Sequence, residues 1–235
     1  MILEMKDVET GYQLGQVLFG VNLDVKTGQC VSLLGRNGMG KSTLIKTIMG
    51  ELKLNAGIIR RFGKCEDNKE PFQIASEGIG LVPEGRQIFP NLTVRENLVT
   101  FYKKPNESAK IDWQLEKIIE LFPRLKDRLQ NLGSQLSGGE QQMLAIGRAL
   151  MTNPRFLILD EATEGLAPIV REQIWESLNY LKRSGFSILV VDKDISALAK
   201  LADHHYILEK GKVVWSGNSS DLIKNRDLES KYLGV

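Results

Sequence analysis

Gly35-Arg36-Asn37-Gly38-Met39-Gly40-Lys41-Ser42-Thr43 decides how this chain is read. The stretch fits the pattern G-x-x-x-x-G-K-[ST], with Gly35, Gly40, Lys41 and Ser42 at the fixed positions. Before it, Gln29-Cys-Val-Ser-Leu-Leu34 reads as a short buried strand. After it, Leu44, Ile45, Ile48 and Met49 recur at helical spacing. Strand, glycine-rich loop and helix start form the setting a phosphate cradle needs. The glycines let backbone N–H groups curl around phosphate oxygens, and the helix N-terminus adds partial positive charge. Lys41 is expected to reach the β- and γ-phosphates of a nucleotide, and the Ser42 hydroxyl to hold Mg²⁺.

Composition narrows the rest. A chain of 235 residues suits one domain with insertions or two small lobes, and can bury a sizeable core. Its 31 basic and 29 acidic residues leave no basic field suited to nucleic acid, so no nucleic-acid partner is expected. No apolar run approaches the roughly 18 residues of a membrane span. Met1-Ile-Leu-Glu-Met-Lys6 lacks the basic n-region of a signal peptide, so a cytoplasmic location is expected. Cys30 and Cys65 lack metal-ligand spacing; Cys30 lies in the apolar strand and reads as core.

Elsewhere the pattern alternates. Residues 2–9 and 21–25 read as strands joined by a loop from Thr10 to Gly20 that contains Tyr12. Gly57–Phe62 and Gly80–Val82 read as further strands, and Glu66–Pro71 as a polar surface excursion. From Leu92 to Asn131 the character turns helical. Thr93-Val-Arg-Glu96 is a capping-box pattern, and Leu115, Ile118, Ile119 and Phe122 mark an amphipathic helix closed by Pro123. The α/β pattern then resumes. Helices are expected over Gly138–Met151, Pro168–Arg183 and Ile195–Ala202, and strands over Arg155–Asp160 and Phe186–Val191. A hairpin is expected to turn at Lys210-Gly211, followed by a helical tail.

Two further motifs carry chemistry. Phe156-Leu-Ile-Leu-Asp160-Glu161 is an apolar strand ending in two carboxylates, placed where an open α/β sheet puts its ligand site. Asp160 would orient Mg²⁺ through water, and Glu161 would act on the attacking water as general base or as orienter. Leu136-Ser-Gly-Gly-Glu140 sits at the start of the Gln141–Met151 helix. It reads either as an ordinary serine cap with glycines in the turn or as a second phosphate contact.

Taken in this order, L-S-G-G-E-Q-Q, the phosphate loop and I-L-D-E resemble the ATP-binding subunit of ABC transporters. The finer similarity is to the ATPases of importers for branched-chain amino acids and for urea and related amides. It rests on Val82-Pro-Glu-Gly-Arg86, Glu120-Leu-Phe-Pro-Arg124, Gln141-Gln-Met-Leu-Ala-Ile-Gly-Arg-Ala-Leu150, Gly165-Leu-Ala-Pro168 and Tyr232-Leu-Gly-Val235. The resemblance implies an α/β P-loop ATPase core with a mixed, mostly parallel sheet, an antiparallel β subdomain and an inserted α-helical subdomain. Residues 1–85 and 154–235 would form the core, and 86–153 the helical part with the signature motif.

The resemblance also implies ATP and Mg²⁺ as cofactors and a peripheral position on the cytoplasmic face of the inner membrane. The implied partners are membrane permease subunits, a second ATPase subunit in a homodimer or heterodimer, and indirectly a periplasmic solute-binding protein. Two subunits would pair head to tail. The phosphate loop of one, with Arg36, Asn37, Gly38, Met39 and Thr43 along it, and Ser137, Gly138, Gly139 and Glu140 of the other would enclose each ATP.

Within that frame Tyr12 falls at the position that stacks on adenine, or else is a partly exposed loop tyrosine. Glu84 stands where many members have glutamine, as a sensor of Mg²⁺ and γ-phosphate or as a surface acid. Ala162 replaces a usual proline. Lys193 replaces the histidine of the switch position. Its ammonium would sit near the γ-phosphate, or else turn to solvent or pair with Asp192 or Asp194. His204 and His205, further on, read as structural or surface residues. A soluble ABC protein, a subunit with little hydrolysis of its own and an exporter ATPase are the competing readings.

Overall fold

The computed structural model describes residues 1–65, 69–105, 111–225, 228 and 231–232. Two long strands open the chain, β1 (Leu3–Tyr12) and β2 (Gly15–Val25), followed by β3 (Cys30–Leu34) and helix α1 (Lys41–Ile48). Then come β4 (Ala56–Arg61), β5 (Lys64–Cys65), α2 (Pro71–Ser76) and β6 (Ile79–Val82). A helical stretch holds α3 (Val94–Val99), α4 (Leu115–Leu121), two 3₁₀ turns (Pro123–Arg128 and Gly133–Gln135) and α5 (Gly138–Met151). The chain continues through β7 (Phe156–Asp160), α6 (Pro168–Arg183), β8 (Ser187–Val191) and α7 (Ile195–Leu201). It ends with β9 (His204–Glu209), β10 (Lys212–Gly217) and α8 (Ser219–Lys224).

Six strands form the central sheet in the order β10-β9-β3-β8-β7-β6. All its pairings are parallel except the terminal β9–β10 hairpin. A second, antiparallel sheet runs β2-β1-β4-β5. The central strands β3, β7 and β8 are buried along their whole length and mostly apolar because both faces are covered. Along β7, Phe156 and Ile158 face a core shared with α1 and the antiparallel sheet. Leu157 and Leu159 face the opposite core, with Met143 and Leu150 of α5 and Ile174 and Leu178 of α6. The two-residue alternation of a strand thus feeds two separate cores. The chain combines mixed α/β layers with an antiparallel sheet and a helical stretch, as the P-loop reading requires.

The loop expected from Thr10 to Gly20 is not a loop. Those residues extend both strands into one hairpin, paired from Leu3↔Val25 to Tyr12↔Gly15. Its register shifts three times, between Met5 and Val8, Val8 and Thr10, and Thr10 and Gly11. Asp7 takes a positive φ of 48° at the first shift. Such bulges break the in–out alternation by which a strand is read from sequence. Tyr12 therefore ends a strand. The excursion expected over Glu66–Pro71 is also revised. Its residues 66–68 lie outside the described residues, and Pro71 begins α2, capped by reciprocal Glu70 and Gln73 bonds. With only Ile74 buried, that helix leaves almost no periodic trace.

The remaining expectations match closely. Helices α5 and α6 have the expected bounds, Thr93 caps α3 with its Glu96 partner, and the last hairpin turns at Lys210-Gly211. The helical tail is present in α8 as far as Lys224. No helix among the described residues is long and apolar enough to cross a membrane.

Candidate active site

The phosphate loop joins β3 to α1, and its glycines answer distinct demands. Gly40 precedes the first helical residue at φ 106°, a left-handed conformation that lets the chain enter α1 without a side-chain penalty. A Cβ on Gly35 would lie 2.4 Å from the Leu208 carbonyl oxygen of β9, so the loop packs directly on the neighbouring strand end. Lys41 is buried, and its Nζ donates to the carbonyls of Gly35 (2.7 Å) and Arg36 (3.0 Å). Burial lowers its pKa, while the carboxylates of Glu161 and Asp160 pull the other way. The ammonium is thus held inside the curl of the loop, facing the strand-end acids.

Those acids stand at the end of β7. Glu161 N donates to Val191 O of β8 at 2.8 Å, so the two strand ends travel together. Asp160 is buried; desolvation raises its pKa, opposed by a hydrogen bond from Ser42. Its Oδ1 is buried without a hydrogen-bond partner. Asp160, Ser42 and Glu84 line one cavity of about 930 Å³, together with Lys46 and Arg148. Two carboxylates and a hydroxyl are hard oxygen donors, and the unpaired Asp160 oxygen suits a small hard cation such as Mg²⁺. These three residues therefore fit the metal that the sequence reading assigns to them.

Glu161 takes φ 51°, an unusual conformation for a non-glycine residue, at the turn where its side chain enters the site. Its carboxyl pKa is pushed up to about 7, first by burial and then by the neighbouring Glu164 carboxylate, against the pull of Lys193 and Lys41. Glu164 is lowered by the same contact and by the Lys193 ammonium. A carboxylate with a pKa near neutrality is matched to removing a proton from water.

Lys193, its side chain half exposed, pairs with neither Asp192 nor Asp194. Its ammonium contacts the Glu164 carboxylate and lies 3.7 Å from Glu161 Oε2. Asp192 is occupied otherwise: it accepts from the Thr163 hydroxyl and amide and from the amides of Lys193 and Asp194. Asp194 caps α7 through the Ala197 amide. Oxygens of Glu84, Glu161 and Glu164 lie within 4.8 Å of one another. The loop after β6, the end of β7 and the loop after β8 therefore converge on one spot.

The signature segment caps α5. Ser137 accepts from the Glu140 amide (3.3 Å), and its own amide and hydroxyl donate to Glu140 Oε2 (2.8 Å each). The Glu140 side chain is thereby engaged within the chain, with Arg128 beside it at 3.3 Å. The bareness of the loop has a packing reason as well. A Cβ on Gly139 would lie 2.6 Å from Val170 Cγ1 of α6, and one on Gly138 would lie 3.0 Å from the Arg86 guanidinium. Arg86, two residues past Glu84, also donates to Gln141 Oε1 at 3.2 Å. Ser137, Gly138 and Gly139 line neither the cavity at Asp160 nor the one at Glu161 and Lys193.

Tyr12 is exposed at the edge of the phosphate loop, with its hydroxyl 3.4 Å from Thr43 Oγ1 and Lys46 above its ring. An open aromatic face beside the cradle is what stacking on a base requires. His205 is fully buried between Ser32 (2.6 Å) and Ser219 (2.9 Å), the structural role expected of it. Cys30 is buried in β3, its thiol pushed up to about 12 by desolvation. Glu164 and Arg86 are the site residues that sequence reasoning missed. Their one sequence signal was adjacency to a motif residue, three positions after Glu161 and two after Glu84.

Comparison with known proteins places the chain beside ABC transporter cassettes. The family model described as ABC transporter matches residues 18–164. The chain is 42% identical over 236 aligned residues to a high-affinity branched-chain amino acid transport ATP-binding protein, BraG, of Pseudomonas aeruginosa. That alignment covers 99% of this chain and 100% of the relative. It is 33% identical to a Nod factor export ATP-binding protein I of Rhizobium etli, covering 94% of this chain and 69% of the relative. Among solved structures, a dimeric ATP-binding cassette in a post-hydrolysis state, bound to ADP and Pi, superposes with a TM-score of 0.81. It is 26% identical, covering 92% of this chain and 98% of that one.

Proposed function

This chain belongs to the ABC transporter family as an ATP-hydrolysing cassette, and on that premise we propose that it powers the uptake of branched-chain amino acids across the inner membrane. The observation that carries the substrate class is the 42% identity to BraG over the full length of both chains. In this reading the cassette sits on the cytoplasmic face, bound to permease subunits that receive solute from a periplasmic binding protein. It pairs head to tail with a second copy or with a related ATPase subunit.

Each residue has a stated part. The phosphate-loop amides from Gly35 to Thr43 and the Lys41 ammonium bind the β- and γ-phosphates, and Tyr12 stacks on adenine. Ser42, Asp160 and Glu84 would hold Mg²⁺, which supplies charge neutralisation at the phosphates when bound. Glu161 accepts a proton from the attacking water, whose oxygen bonds the γ-phosphorus as the bond to the β–γ bridging oxygen breaks, giving ADP and phosphate. Ser137 and the amides of Gly138 and Gly139 face the partner's γ-phosphate, where the α5 N-terminus adds positive potential. The helical stretch 86–153 passes dimer closure to the permease through Arg86, which joins the Glu84 loop to the start of α5.

Disruption of the gene in its host, followed by uptake of radiolabelled leucine, urea and acetamide, tests the reading. Leucine uptake is expected to fall while urea and acetamide uptake stay unchanged. Loss of amide uptake alone would move the substrate to that class. The likeness to a Nod factor exporter supports a second reading, export. Intracellular accumulation of solute in the disrupted strain would favour it.

A further inference from the structure

We propose that the cavity between α4 and α6 is a binding site for a free α-amino acid with an apolar side chain. It shares no lining residue with the cavities at Asp160 and at Glu161. The assignment stands on this lining alone, whatever solute the transporter carries.

The cavity holds about 500 Å³, within the range of about 300–1,000 Å³ that small-molecule sites occupy. Three elements meet there. Trp113, α4 and the 3₁₀ turn that begins at Pro123 line one side, Gln173 and Glu176 of α6 another, and Met143 comes from α5. Phe122 and Met143 are buried core residues that present apolar surface to it.

Two buried polar atoms belong to this lining. Trp113 is 2% exposed, and its indole Nε1 is buried with no hydrogen-bond partner. Gln173 Oε1 is also buried without one. The indole nitrogen only donates, and the amide oxygen only accepts. Buried polar groups are nearly always paired, because an unpaired one has given up its hydration for nothing. A donor and an acceptor on two elements of one cavity call for an occupant that both accepts and donates. Trp113 is fixed in place: its amide donates to Asn153 Oδ1 at 2.8 Å, and its ring meets Phe186 edge to face at 5.9 Å. The nearby Ser177 hydroxyl does not answer the Gln173 side chain, since it donates to the Gln173 backbone carbonyl at 2.8 Å.

Charge narrows the occupant further. Lys117 and Glu120, both on the lining, pair with each other at 2.6 Å. Arg124 and Glu176, both exposed, join no ion pair among the described residues. One cation and one acid therefore remain at the rim. A zwitterion answers all four groups. Its carboxylate accepts from the Trp113 N–H and draws on Arg124, while its ammonium donates to Gln173 Oε1 and draws on Glu176. Phe122 and Met143 then take an apolar side chain. A fatty acid would leave the Gln173 oxygen unanswered, and an alkylamine would leave the Trp113 N–H. The occupant touches both the helical stretch and α6, so it ties residues 86–153 to the core.

The test is isothermal titration calorimetry of the full chain with leucine, glycine, isocaproate and isoamylamine. The proteins are wild type, Trp113→Phe, Gln173→Leu and Arg124→Gln. Leucine is expected to bind wild type with a Kd of about 1 mM or tighter, and the other three ligands at least about tenfold more weakly. Trp113→Phe keeps an aromatic ring and loses the N–H, so leucine should bind it about tenfold more weakly, and Gln173→Leu likewise. Arg124→Gln removes an exposed charge and should weaken leucine about two- to threefold. ATP titration of each variant checks the fold and should be unchanged, because these residues line a separate cavity. No leucine binding up to about 10 mM, in a protein that still binds ATP, would overturn the proposal. So would leucine affinity unchanged in both Trp113→Phe and Gln173→Leu, which would put the ligand elsewhere. Isocaproate binding as tightly as leucine would overturn the amino-acid class, since the ammonium would then contribute nothing.

Discussion

Replacing Lys41 with alanine separates phosphate binding from folding. In the structure the Lys41 ammonium makes two hydrogen bonds, to Gly35 O and Arg36 O. On ATP binding it would exchange them for phosphate oxygens. Two charge-assisted bonds are worth about 1.5–3 kcal/mol each, offset by the carbonyl contacts given up. A net loss of about 3 kcal/mol remains, roughly two orders of magnitude in Kd. The fold itself should hardly notice. Burial already disfavours the charged lysine, so its removal relieves desolvation while it leaves two loop carbonyls short of a donor. A stability change of about 1 kcal/mol moves Tm by about 2–4 °C in a chain of this size. Titration calorimetry with ATP, beside thermal melts without it, reads both quantities. An unchanged Kd would refute the phosphate-loop assignment. A Tm drop beyond about 10 °C would show that the lysine is a folding element, contrary to the electrostatic reasoning.

Three further outcomes are expected. Ser137→Arg should keep ATP binding in the monomer and block the ATP-dependent dimer, because a bulky cation would fill the space in front of the α5 N-terminus; loss of monomer binding in calorimetry would mean that the segment acts within its own chain. Gly139→Ala should cost about 1–3 kcal/mol in urea unfolding, since its Cβ would lie 2.6 Å from Val170 Cγ1; unchanged stability would refute that packing role. His205, whose pKa burial lowers from 6.5 to about 4, binds a proton in the unfolded chain before it does in the folded one, so its contribution is complete above pH 6.5 and is lost as pH falls toward 4. Between pH 7.5 and 5 the wild type should lose about 2 kcal/mol more than His205→Gln, and equal losses in the two proteins would contradict the burial argument.

The parts of the fold that were legible in the sequence are those where local chemistry and burial agree. The β3–loop–α1 unit shows because a wholly buried strand meets glycines with positive φ and then a helix with buried Leu44, Ile45 and Ile48. Helix α6 shows because Pro168 starts it and Gly185, at φ 88°, follows its end. The outer part of the β1–β2 hairpin, from Thr10 to Gly20, did not show. Its bulges shift the inward residues, and a Cβ on Gly11 would lie 2.2 Å from Gly15 O, a close approach of the two paired strands beside their turn.

The site divides in the same way. Asp160 and Glu161 are visible as the polar end of an apolar strand. The Lys193–Glu164 contact depends on which strands are neighbours in the sheet, and the Arg86–Gln141 bond on how the helical stretch folds back. Neither is encoded at short range. The packing of Gly139 on Val170 belongs to the same class. The sequence offered a second phosphate contact as a reason for the missing side chains, and α6 supplies a packing reason beside it.

The central claim is that Glu161 acts on the attacking water in a site completed by a second cassette. Steady-state ATPase activity and gel filtration of Glu161→Gln with ATP and Mg²⁺ test it most directly. The account predicts a fall in turnover of roughly 10²-fold or more, with ATP still bound and the protein eluting as a dimer that reverts to monomer when ATP is removed. Wild-type turnover, or a protein that remains monomeric with ATP bound, would contradict it.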